Sequence, residues 1–177
     1  MDTLLCEPNH KDLGPMGDAF KKAGAGKTFA LLAWHPCVYT CGFYCWGVGG
    51  DGVYYRRIFS PLPQYNPFFF DGGNLLTLTV QGGFDSTLAM LQVQQGMEDY
   101  ALARRCQAVV KTAKARGLDT AALEKVLTAI RVTADSAPPA FDPERYRPAG
   151  VLPAQLAEWR TALIKEAGWL SQKVAAP

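Results

Sequence analysis

The stretch ALLAWHPCVYTCGFYCW, residues 30–46, constrains this chain more than any other. It is very apolar, with no Asp, Glu, Lys or Arg, and it is too short to cross a bilayer. Pro36 splits it. On one side, a helix capped by Asp18 and interrupted by Gly24 and Gly26 is expected to run to about Trp34. On the other, GFYCW, Gly42 to Trp46, is short, aromatic and bounded by glycines, a pattern that predicts a buried strand.

Just ahead of this stretch lies AGAGKT, residues 23–28, which resembles a phosphate-binding loop at its lysine and hydroxyl positions, Lys27 and Thr28. Such a loop needs a glycine at its start, so that the backbone can curl and aim N–H groups at phosphate. That place is held by Lys21. A buried strand should also lead in, and GPMGDAFKKA is no strand pattern. The segment reads as a glycine-interrupted, basic solvent face, and no cofactor is expected.

A chain of 177 residues with 49% hydrophobic content suffices for one sizeable core. Mean hydropathy is −0.03. The net charge of +2, from 18 basic and 16 acidic residues, is too balanced to imply nucleic acid or an anionic membrane as partner. MDTLLCEPNHKD has no basic start followed by an apolar core, so no signal peptide is read in this chain; the compartment stays open.

Further along, turn formers make residues 1–17 and 47–73 read as loops, and Asn74 to Val80 as a strand leading into the turn QGGF. Three helices follow. Asp85 and Ser86 can cap the first, with Leu102, Cys106, Val109 and Ala113 at helical spacing and Gly117 as its stop. Asp119 caps the second, whose stripe is Leu123, Val126, Leu127 and Ile130. After the proline-rich DSAPPAFDPERYRPAG, the third begins near Pro153 and buries Leu156, Trp159, Leu163 and Leu170.

Several constellations can be weighed for chemistry. The five cysteines, Cys6, Cys37, Cys41, Cys45 and Cys106, form no disulfide framework. Cys37, Cys41 and Cys45 recur at intervals of four beside His35, but the spacing fits neither a zinc pair nor a cluster motif; they read as small buried hydrophobes, and no metal site is expected. Glu98 and Asp99 are adjacent, whereas carboxylates flanking a glycosidic bond stand roughly 5 to 10 Å apart on facing elements. His10 and His35, the only histidines, lie in no nucleophile context. The aromatics Tyr44, Trp46, Tyr54 and Tyr55 cluster where the expected strand gives way to loop, and flat rings of this kind stack on sugars as well as in cores.

Taken together, Ala33-Trp34, Gly42-Phe43 with Trp46, Asp71-Gly72-Gly73, and Gly96 to Tyr100 (GMEDY) resemble the C-terminal part of bacterial proteins related to glycoside hydrolase family 123, many of them domains of unknown function. The resemblance covers roughly residues 25–115. It implies an α/β fold, the C-terminal fragment of a (β/α)8-type barrel with a short β-hairpin and a three-helix tail. GFYCW would be the eighth barrel strand, and sites in such barrels sit at the C-terminal ends of strands. Trp46, Tyr44 and Asp51 are then the expected substrate-binding residues, with carbohydrate as partner. The family's catalytic Asp-Glu pair belongs to an earlier strand that this chain does not contain, so no catalytic residue is carried over. Ala89 and Leu91 replace charged residues, and TLTVQGG lacks the Tyr-Pro pair of the hairpin.

The organisation expected from this is a barrel-remnant segment over 1–83, a two-helix segment over 84–133, a linker over 134–150 and an amphipathic helix over 151–177. The function expected is a carbohydrate-associated segment that does not catalyse by itself; the alternative is a non-catalytic helical protein-interaction domain. Partners would be the missing barrel portion, or a second copy through exposed apolar edges.

Overall fold

A computed structural model describes residues 2–7, 12–33, 37–55, 76–78, 84–86, 88–137, 139–142, 147–149 and 151–175. It is a mixed α/β arrangement dominated by helices. The strands β1 (Thr3–Cys6), β2 (Thr28–Ala33) and β3 (Gly52–Tyr55) form a parallel sheet in the order β1-β2-β3. Thr3 lies opposite Thr28 and Cys6 opposite Leu31; Ala30 lies opposite Gly52 and Ala33 opposite Tyr55.

Helix α1 (Leu13–Lys22) connects β1 to β2. The helix expected from Asp18 to Trp34 is therefore corrected on both sides: it starts earlier, at Leu13, and TFALLA beyond it is strand β2. The physical reason is the turn between them. Gly26 takes φ 76°, a left-handed conformation open to glycine at little cost, and the β-branched and aromatic residues that follow favour a pleated, half-buried site. AGAGKT is thus the hinge from α1 into β2. Lys27 Nζ lies over the Phe20 ring at 4.9 Å, and the Thr28 N–H donates to the Asp2 carbonyl at 2.9 Å.

The connection from β2 to β3 carries the largest correction. Thr40–Tyr44 forms π-helical turns (π1) that run into the short α-helix α2, Cys45–Gly47. GFYCW is helical, not a strand. Gly42 departs from helical geometry at φ −107°, ψ −110°, and kinks the segment there. Every residue from Cys41 to Trp46 is buried, so no polar face is left to betray a helical period. A short continuous apolar run is compatible with either structure, and here the packing decides.

The expected strand over 74–80 is observed as β4 (Leu76–Leu78), paired antiparallel with β5 (Phe84–Ser86). Loops were expected over β1 and β3; both are too short, and too closely followed by turn residues, to register as strands. The proline-rich connector likewise holds a hairpin, β6 (Ala140–Asp142) with β7 (Arg147–Ala149).

The three predicted helices are α3 (Leu88–Ala115), α4 (Ala121–Ser136) and α5 (Pro153–Ala175). Gly117, at φ 71°, ends α3 while the Leu118 N–H returns to the Ala113 carbonyl. Asp119 Oδ1 accepts the Ala121 N–H at the start of α4. The expected faces of α4 and α5 meet in one core: Leu123, Leu127 and Ile130 pack with Leu156, Trp159, Leu163 and Leu170, and with Ala103, Cys106 and Ala113 of α3. Phe43 of π1 sits edge-on to Trp159, centroids 5.6 Å apart.

Successive residues of a strand face opposite ways, so the sheet has two distinct sides. Leu4, Cys6, Phe29, Leu31 and Val53 join the helical core. A Cβ on Gly17 of α1 would come within 2.5 Å of the Phe29 ring, which shows how closely the helix lies on that side. The other side carries Leu5 beside Ala30, and Leu32 beside Tyr54.

Candidate functional site

GMEDY, the most specific of the motif residues, lies on α3 against π1. Gly96 is where the two segments touch: a Cβ there would stand 2.5 Å from Cys41 Cβ and 2.8 Å from the Val38 carbonyl oxygen. Gly42 answers from the other side, its virtual Cβ 2.8 Å from Asp99 Cβ and 2.9 Å from the Gly96 oxygen. Glycine is needed at both places because backbone approaches backbone.

Asp99, 1% exposed, faces away from Glu98 and receives Arg160 of α5 through both guanidinium arms; Nη2 lies 2.7 Å from Oδ2 and Nε donates to Oδ1. Burial raises the Asp99 carboxyl above the usual carboxylate range, while the hydrogen bonds from Arg160 act in the opposite direction. Glu98 is at the surface and accepts from Gln95 Nε2 at 3.2 Å. Tyr100 donates its hydroxyl to the Gly50 carbonyl at 2.9 Å. G-x-x-D-Y is therefore a three-point joint: close approach, ion pair, and a tie to the loop before β3.

Asp51 belongs to the same loop. Its Oδ2 accepts the Phe29 N–H at 2.9 Å and its Oδ1 accepts Lys21 Nζ at 2.7 Å, while the lysine also donates to the Gly49 carbonyl at 2.6 Å. These contacts fasten α1, β2 and the start of β3. Lys21, which stands where a phosphate loop would have glycine, serves here as a clamp. Asp51 precedes β3, so it stands at the N-terminal end of the sheet, opposite the end where barrel sites form.

Tyr44 and Trp46 are 1% and 4% exposed. Tyr44 packs on Tyr39 with centroids 5.5 Å apart, and burial pushes both phenols far up. The Arg131 guanidinium covers the Trp46 ring at 4.7 Å. Tyr44 and Trp46 are thus enclosed by neighbouring side chains, whereas Asp51 stands in the loop before β3. Tyr54 is open; Tyr55 ends β3; His10, His35, Trp34 and the Asp71-Gly72-Gly73 run lie outside the described residues.

Among the described residues all five cysteines are free thiols, and no group of three or more His, Cys, Asp or Glu side chains is placed to hold a metal. Cys37 pairs with the Thr40 hydroxyl at 3.0 Å, and burial raises the Cys45 thiol to about 12 and the Cys106 thiol to about 11, which suits them to packing rather than nucleophilic chemistry. No described helix is long and apolar enough to cross a membrane.

On the second side of the sheet the central Ala30 is buried and Leu32 half-buried, while the edge strands are more open. Leu5 and Tyr54 are 45% and 57% exposed there, and among the described residues no strand pairs with the outer edges of β1 and β3. Arg160, which completes the motif, and Lys21, which completes the Asp51 clamp, were not singled out as partners from the sequence. Arg160 lies 61 positions from Asp99, and nothing local marks it.

The fold defines an α/β protein with a small parallel sheet on a helical platform. No family model matches the chain, and no curated protein matches it. Among solved structures, it is similar to a family 123 glycoside hydrolase from Clostridium perfringens, studied for glycolipid glycan hydrolysis, with a TM-score of 0.48 and 15% identity. The likeness covers 94% of this chain but 30% of that one. It is a distant likeness of chain path, and no residue role is taken from it.

Proposed function

We propose that this chain is a non-catalytic, glycoside-hydrolase-like scaffold segment, whose sheet is completed by docking against further polypeptide. The observation that carries this reading is the exposure of apolar side chains on the two edge strands, Leu5 of β1 and Tyr54 of β3. Parallel sheets are stable when both faces are buried, and their edges invite another strand. Here helices cover the Phe29–Leu31 side, while Leu5 and Tyr54 stand open on the other. Sequential parallel strands with a helix in each crossover are also how a curled (β/α) sheet is built. Gly96, Asp99 and Tyr100 of GMEDY support the same reading, because each has a packing role, while Met97 and Glu98 stand at the surface.

Sedimentation over a concentration series tests the docking. The chain should self-associate as concentration rises, and Leu5→Lys, a change at an exposed position, should return it to a monomer. A monomer at every concentration that binds no apolar-surface dye would overturn the reading. Aryl glycosides test the rest: no turnover is expected from the chain alone, and robust turnover would refute the absence of a catalytic pair. Carbohydrate contact through Trp46, Tyr44 and Asp51 stays a proposal with its own measurement. Tryptophan quenching by a sugar that vanishes in Trp46→Phe would support it, and an unchanged response would remove it.

A further inference from the structure

We draw no further inference here: the strongest candidate, the open apolar side of the β1-β2-β3 sheet around Leu5 and Tyr54, belongs to the docking reading already proposed, and nothing in the structure shows what covers it.

Discussion

The helical platform and the sheet solve the same problem to different degrees. Around π1 the chain is closed on every side: α3 touches it glycine to glycine, Trp159 of α5 meets Phe43, and α4 meets Gly47 so closely that a Cβ there would lie 2.5 Å from Ala134 Cβ. The sheet is less complete: its edge residues Leu5 and Tyr54 are exposed. Its strands have four, six and four residues, and two of them are edges among the described residues. The difference teaches where specificity is concentrated. The platform holds the fully buried run Cys41 to Trp46 and spends polar ties on it; the sheet relies on register and on the Asp51 clamp.

If that contrast is right, damage to the platform should cost far more than damage to the open side. Arg160→Ala should be the most severe change, because it leaves Asp99 buried without its counter-charge; a loss of about 3–5 kcal/mol is expected in urea unfolding. A loss under about 1 kcal/mol would show the pair to be ornamental and the comparison mistaken. Gly96→Ala comes next. Its new Cβ meets Cys41 and a backbone oxygen, neither of which can rotate away, so overpacking of about 1–3 kcal/mol should appear as a lower Tm. Tyr100→Phe deletes the hydroxyl donated to Gly50 and should cost about 1 kcal/mol, with proteolysis of the loop before β3 accelerated.

The smallest effect belongs to the surface of the platform. Glu124 accepts hydrogen bonds from Lys114 at 2.7 Å and from the Thr120 hydroxyl at 2.6 Å, and these hold its carboxyl below the usual glutamate value. A depressed folded value means a contribution that is present above the ordinary carboxylate range and lost as pH falls through the folded value. Glu124→Gln should therefore lower stability slightly near neutrality, leave it almost unchanged below the folded value, and so flatten the acid limb of the profile. An equal acid limb in both proteins would assign that dependence elsewhere.

What could be read ahead of the structure follows the same divide. The faces of α4 and α5 were legible because one side of each helix is wet, so Leu156, Trp159, Leu163 and Leu170 keep a visible period against polar neighbours. Gly117 was legible because a left-handed helix stop has few substitutes. GFYCW was not, because burial on all sides removes the period that separates strand from helix. Strands β1 and β3 were hidden by brevity. In the joint, GMEDY was noticeable as a motif but its meaning was not: Gly96, Asp99 and Tyr100 each answer to a residue remote in sequence, at Cys41, Arg160 and Gly50. Tyr44 and Trp46 drew attention as aromatics near an expected strand end, and that end proved to be the middle of a buried helical turn.

The bond between Asp99 and Arg160 also joins two parts of the chain that are synthesised at different times. The carboxylate leaves the ribosome well before the guanidinium, since their separation in sequence is 61 residues. Until α5 emerges, pressing α3 onto the kinked aromatic turn would bury an unneutralised anion, which is strongly unfavourable. Closure of α3 on that turn and the arrival of α5 are therefore coupled through a single charge pair.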